Sequence, residues 1–302
     1  MIKEVKTIWE NSDVHTIDYK TSTNISPSQF GTWSDCRHRW YLDKVKKLSP
    51  FEASKHTIFG SAMHLVIQEW LEVMYRDSVK ASDAMDLRDN LKKTMKTVYD
   101  SEQSKMEKTI APPSELNEMF LDGVEILSYL KRKRKSYFSS KNDILCGIET
   151  DIVQEVKPGV YFKGYIDLVF FNKNTGRYKV IDLKTSTRGW NDYQKKEKSS
   201  QIIFYKEMFA RQFNVDVDMI DVEYMILRRK VPKDPEYPVR RIQEFKPASG
   251  KIKRGKLIKE MNQFLDEAFD NNGKHIDKEY MKSFGSACRW CPFKGTEHCT
   301  GS

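Results

Sequence analysis

From Gly164 to Ser186 the chain reads GYIDLVF, a polar turn from Asn172 to Arg177, and then YKVIDLKTS. Two apolar runs of strand type around a Gly-containing turn predict a β-hairpin. One strand presents Asp167 and the next presents Asp182 and Lys184, while Ile181 and Leu183 alternate toward the opposite face. Two carboxylates and an ammonium at one spot on a sheet suit divalent-metal hydrolysis of a phosphodiester. The carboxylates hold Mg²⁺ or Mn²⁺, and the lysine orients the attacking water. Taken alone, an Asp-x-Lys strand reads more readily as side chains that simply face solvent. Asp167 argues for more, because it lies among Tyr165, Ile166, Leu168 and Val169. An uncompensated carboxylate in such company is costly, and a cation offsets that cost.

The rest of the chain frames this hairpin. Its 302 residues suffice for one large domain, 1–302. Within it, residues 26–140 read as a mainly helical part, 143–230 as a catalytic sheet core, and 231–302 as a C-terminal part with a cysteine cluster. A helix is predicted from Ser26-Pro27 through Val45, with Phe30, Trp33, Trp40 and Tyr41 at helical intervals, and another from Thr57 to Tyr75 carrying His64. Residues 80–140 are charged and helix-rich, interrupted at Ala111–Ser114. This stretch is expected to wall or arch over the site and so favour a threaded free end. Strand character begins at Asp143, a helix follows over Ser199–Phe213, a strand over Val222–Lys230, a loop or edge strand over 231–251, and a helix over Lys256–Asp270. The first 24 residues read as an irregular or short-strand lead-in. Strands framed by helices indicate an α/β fold with a mixed central sheet.

Composition narrows the partners. Lys and Arg total 52 against 43 Asp and Glu, a net charge of +9 that favours a polyanion. Mean hydropathy is −0.67, and the apolar stretches are too short for a membrane span. The start, MIKEVKTIWEN, has no signal-peptide core, so a reducing cytoplasm, of a bacterial or phage-infected cell, is the expected compartment. Of three basic runs, Lys131–Lys135, Arg228–Lys230 and Lys251–Lys256, one is expected to contact DNA. Aromatic side chains supply stacking partners for unpaired bases. GKIKRGKL (Gly250–Leu257) only approaches a P-loop, since Leu257 stands where a hydroxyl is needed. With no motor of its own, the chain would depend on a partner helicase or recombinase, or on ends already frayed.

Five short motifs follow one another: ISPSQFGTWSDCRHRWY, FGSAMH, GYID, IDLKTS and QIIFY. Their order resembles the RecB-like branch of the PD-(D/E)XK nuclease superfamily, with His38 at or beside the position of a usual proline. The resemblance implies a restriction-endonuclease-like core and a metal-dependent deoxyribonuclease, an exonuclease working from single-stranded ends in recombination, repair or phage DNA processing. A structure-selective endonuclease and a non-catalytic DNA-binding or assembly module are the alternatives. It implies His64, Asp167, Asp182 and the Leu183 carbonyl as ligands of Mg²⁺ or Mn²⁺, and Lys184 as the group that positions water. Gln201 and Tyr205, one helical turn apart, would meet the scissile phosphate. Glu149, one strand earlier, would join through a water. Outside that resemblance, His64 reads as an ordinary helix histidine, and Gln201 and Tyr205 as a packing face.

Cys288, Cys291 and Cys299 crowd the C-terminus and leave a tetrahedral site one ligand short, with Cys36 as the obvious donor. AddB-type and CRISPR-associated relatives show this split pattern. The resemblance implies a [4Fe–4S] cluster on Cys36, Cys288, Cys291 and Cys299. A structural Zn²⁺ using His38 or His298 stays open. Cys146, in an apolar strand, reads as a core residue.

Overall fold

A computed structural model describes residues 22–49, 52–138, 141–232 and 240–300. The expected lead-in therefore lies largely outside the described residues, except for its end, which forms β1 (Thr23–Ile25). The other strands are β2 (Asp143–Lys157), β3 (Val160–Asn172), β4 (Arg177–Ser186), β5 (Ile220–Arg228) and β6 (Ile242–Phe245), all in one mixed sheet. The predicted hairpin is β3 and β4, and β6 is the expected edge strand.

β3 organises the sheet. Along one edge it pairs antiparallel with β2. Its other edge is shared: β1 lies parallel to Val160–Phe162, and β4 lies antiparallel to Leu168–Asn172. Among the described residues no strand pairs with that edge between Lys163 and Asp167, so the sheet splits there. β4 then runs parallel to β5, and β6 pairs antiparallel with β5.

Ten helices among the described residues cover both faces. α1 (Pro27–Asp35), α9 (Ser199–Gln212) and α10 (Lys251–Ala268) bury Phe30, Trp33, Phe204 and Phe264 against Phe162, Val180 and Val222. α3 (Lys55–Arg76), α5 (Leu87–Gln103) and α6 (Pro113–Arg132) bury Phe59, Met63, Trp70, Leu91 and Ile126 against Leu168, Phe170, Leu183 and Leu227 on the opposite face. Short helices α2 (Arg37–Trp40), α4 (Val79–Ala84), α7 (Arg134–Tyr137) and α8 (Asp192–Glu197) complete the set.

Two expectations are corrected. The helix over Ser26–Val45 breaks at Cys36, which is extended (φ −159°, ψ 111°) and whose Sγ accepts the Arg39 N–H at 3.4 Å, starting α2 afresh. Helices α4–α7 form no arch: none of their residues lines the catalytic pocket described below. Their apolar faces, Leu87, Leu91 and Met95 on α5 and Met119, Ile126 and Leu127 on α6, are consumed in the layer built on α3. Of the three basic runs, Arg228–Lys230 is taken up in internal pairing. Arg229 pairs with Asp122 at 3.1 Å, and Lys230 with Glu118 and Asp122 at 2.7 and 2.9 Å, so this run fastens α6 to the end of β5. The near-P-loop segment lies mostly within helix α10, as its rejection required.

The sheet also carries a fault. In β3, Ile166 packs into the α9 layer while Leu168, of the same parity, packs into the α3 layer. In β2, Ile152 and Ile148 are divided in the same way. Strict alternation would put each pair on one face. Inversion occurs between them, at Glu149 and Asp167, which face each other across the two strands but drop out of the pairing register. Glu149 has φ +47°, in the left-handed region that costs a non-glycine residue of order 1 kcal/mol or more.

Candidate active site

The split and the fault coincide, and a pocket of about 400 Å³ opens there. Its walls include Asp167, Asp182, Lys184, Gln201 and Tyr205, together with Ser26–Gln29 at the start of α1 and Lys163–Tyr165 on the unpaired edge. Gly164 is what lets Tyr205 in. A Cβ there would stand 2.6 Å from the tyrosine ring, inside van der Waals contact.

Around Asp167 the contacts are specific. Its Oδ2 accepts the Leu183 N–H at 2.6 Å, and its Oδ1 lies 3.5 Å from His64 Nδ1. His64, Glu149 and Asp167 bring ligand atoms within 4.8 Å of one another, the one such group among the described residues. An imidazole and two carboxylates make a hard, oxygen-rich donor set, which fits Mg²⁺ or Mn²⁺. Asp182 stands beside this group rather than in it. Its Oδ1 accepts from Gln201 Nε2 at 3.0 Å, and its Oδ2 faces Lys184 Nζ at 2.6 Å without a directed hydrogen bond. Gln201 Nε2 also reaches the Tyr205 hydroxyl at 3.3 Å. Glu149 thus groups with His64 and Asp167, while Asp182 faces Lys184 and Gln201.

Burial and charge set the protonation states. Complete desolvation pushes Asp182 up to about 6, with Lys184 pulling it down and Asp167 pushing it further up. Burial alone would lower His64, but the Asp167 carboxylate outweighs it and the imidazole is raised. Lys184 is likewise lowered by burial yet raised overall by Asp182 and Asp167, so it keeps its charge. Burial raises the Tyr205 phenol, against the opposing hydrogen bond from Gln201.

One participant escaped sequence reasoning. Gln68, only 4% exposed, donates from Nε2 to Glu149 Oε1 at 2.5 Å and to the Asp167 carbonyl at 3.4 Å. It lies four residues after His64, on the same face of α3, and that spacing was the available signal.

A second constellation lies at the far end of α1. Cys36, Cys288, Cys291 and Cys299 line one small cavity with His38, Ser283 and Phe293. Cys36 Sγ accepts the Ser283 N–H at 3.5 Å, the Cys288 thiol donates to the Ser283 carbonyl at 3.2 Å, and His38 Nε2 is 3.0 Å from the His298 carbonyl oxygen. Cys146 is elsewhere: its buried thiol, pushed up by desolvation, donates to the Val169 carbonyl at 3.3 Å.

A mixed sheet flanked by helices, split at an Asp with a following Asp-x-Lys strand, defines a nuclease of the metal-dependent class. The PD-(D/E)XK nuclease superfamily matches residues 24–296, and the chain belongs to that superfamily. Its members use divalent metal ions. A crystal structure of a protein from Eubacterium rectale named "Putative exonuclease" is similar in fold, with a TM-score of 0.47, 12% identity, and coverage of 84% of this chain and 83% of that one. Among curated proteins none matches. No described helix is long and apolar enough to cross a membrane.

Proposed function

We propose that the chain is a metal-dependent deoxyribonuclease that hydrolyses phosphodiester bonds from free single-stranded ends. The observation that carries this reading is the convergence of His64, Glu149, Asp167, Asp182 and Lys184 at one split in the sheet. A bound Mg²⁺ or Mn²⁺ neutralises phosphate charge and brings a water pKa toward neutrality. His64, Glu149 and Asp167 would hold it, with Asp182 and the Leu183 carbonyl as further oxygen donors. Lys184, which keeps its proton, would donate a hydrogen bond that orients the attacking water or offsets charge on the phosphate. Gln201 orients Asp182 and Tyr205. Ser26 caps α1 and puts the positive end of its dipole at the pocket wall, which suits an anionic backbone.

End-labelled linear single-stranded DNA run beside a circular control, with Mg²⁺, Mn²⁺ or chelator, tests this. Metal-dependent loss of the linear substrate alone is the expected result. The pocket, over which none of the described helices α4–α7 arches, favours one second reading, a structure-selective endonuclease, and cutting of the circle would establish it. No cleavage of either substrate would leave a non-catalytic DNA-binding or assembly module. Recombination, repair or phage DNA processing, with a partner helicase or recombinase in the cytoplasm, is the setting that an end-directed nuclease without a motor suits. We read residues 1–302 as a single domain, since the superfamily match runs unbroken across helical, sheet and cysteine parts.

For the cysteines we propose a [4Fe–4S] cluster on Cys36, Cys288, Cys291 and Cys299. All four line one cavity, as a shared centre on these thiolates would require.

Gln68→Ala is expected to weaken Mn²⁺ binding by about tenfold or more, since outer partners of ligands typically carry that much. Titration calorimetry with Mn²⁺ on the intact chain measures it. Unchanged affinity would mean that Glu149 needs no orienting partner.

A further inference from the structure

Three large exposed apolar side chains, Met281, Phe284 and Trp290, lie along the cysteine-rich C-terminal segment, and a fourth, Tyr193, meets that segment. Trp290 is 81% exposed, Met281 75%, Phe284 63% and Tyr193 62%. Tyr193, on α8, brings its hydroxyl to 3.4 Å from Ser286 Oγ, which ties that helix to the segment carrying Phe284 and Trp290. The Arg289 guanidinium lies over the Trp290 ring, 5.4 Å from its centroid. An exposed cluster of this kind marks an interaction surface more often than a scattered hydrophobe does.

Charge says what it meets. Between Met281 and Trp290 there is no carboxylate, only Lys282 and Arg289, and α8 with the residue after it adds Lys195, Lys196 and Lys198 against Asp192 and Glu197. Rings interleaved with cations match the alternating faces and phosphates of an unpaired strand, where every base stacks and every linkage is anionic.

The location fits a strand on its way to the pocket. α8 leads directly into α9, whose first turn carries Gln201. α1 spans from Ser26 at the pocket wall to Cys36 at the cysteine cavity, and a helix of that length covers about 13 Å. An unpaired strand, more extended than one in a duplex, crosses that in a few nucleotides.

We propose that Tyr193, Phe284 and Trp290, with Arg289 and Lys282, form a stacking platform for unpaired bases a few nucleotides from the phosphate being cut. The proposal rests on the nuclease reading for the position of that phosphate, but the binding itself is measured without cleavage. It distinguishes substrates by length: a strand too short to reach from pocket to platform gains nothing from the rings.

Fluorescence anisotropy on the intact chain in chelator, with labelled oligothymidylate of twelve and of three nucleotides and a twelve-nucleotide oligouridylate, tests it. Replacing Tyr193, Phe284 and Trp290 together by Ala should lower affinity for both twelve-nucleotide strands by about twentyfold or more and leave the trinucleotide unchanged. DNA and RNA respond alike if base faces alone are read, whereas loss on one sugar only would assign the platform to that nucleic acid. Trp290→Phe should retain most of the affinity. With metal, KM for the long strand should rise while kcat, and hydrolysis of bis(p-nitrophenyl) phosphate, stay as in the parent.

Unchanged affinity for the long strands would overturn the platform, and so would an equal loss on the trinucleotide. A dimer that the triple substitution dissociates, with long-strand affinity intact, would overturn it in favour of a second copy as the occupant. Absence of hydrolysis on every substrate would instead sink the nuclease reading, and the chelator measurement would still decide the platform.

Discussion

Asp182→Asn should abolish metal-dependent cleavage, by about 10⁴-fold, and leave the chain folded. Asp182 is completely buried and faces both Lys184 and Gln201, so the amide keeps the shape and the Gln201 contact while losing the charge. Stability should change little in chelator, for reasons whose signs differ. The folded pKa of Asp182 is raised, so its contribution to stability is fully present below its unfolded value near 3.8 and is lost as pH rises through about 6. At pH 7 the ionised group is therefore unfavourable in the metal-free chain, and its removal is a gain. Lys184, left buried without that partner, offsets the gain. A melting temperature within a few degrees of the parent in chelator is the result to expect.

The same residues predict a pH dependence of metal binding. Asp182 and His64 are both raised, so both hold protons that a cation must displace. Mn²⁺ affinity of the parent should rise from pH 5 to 7, and the slope should be shallower in Asp182→Asn because only His64 still releases a proton. Retained cleavage in the variant would sink the site. An unchanged slope would show that Asp182 is not linked to the cation.

Much of this site was legible because it is local. The β3–β4 hairpin, the pairing of Asp182 with Lys184 two residues on, and the Gln201–Tyr205 spacing are all set by short-range periodicity. The fault that places Asp167 and Glu149 was not. It depends on a left-handed backbone at Glu149, which a glutamate's propensity does not announce, and it inverts the faces of Ile148 against Ile152 and of Ile166 against Leu168. The break at Cys36 escaped for a related reason. The aromatic spacing continues through it, while the side chain that caps α2 is a weak acceptor outside the usual capping set. Long-range charge pairing was also hidden, since nothing in Arg228–Lys230 shows that Glu118 and Asp122 on α6 will meet Arg229 and Lys230.

Cys291→Ser should strip the chain of iron, remove its visible absorbance, and lower its melting temperature by about 10 °C. Four thiolates from Cys36 and the tail would close a loop of about 250 residues. The chain-entropy cost of such a closure in the unfolded state is roughly 5 kcal/mol, returned to the folded state while the link holds. Apart from the link, the two ends meet through the Ser283 N–H on Cys36 Sγ, the His38 N–H on the Met281 carbonyl, His38 Nε2 at the His298 carbonyl, and Trp40 and Tyr41 against Tyr280. Losing the link should therefore loosen α1, and with it the Ser26 cap at the pocket wall, so cleavage should fall less than stability does. Cys146→Ser serves as the control, because that thiol bonds the Val169 carbonyl inside the sheet and should change no metal content. Zinc in place of iron in the parent would keep the staple and overturn the cluster. No metal in the parent, and no change on Cys291→Ser, would leave the ends held by these hydrogen bonds and ring contacts, and would make the four cysteines an unliganded cavity.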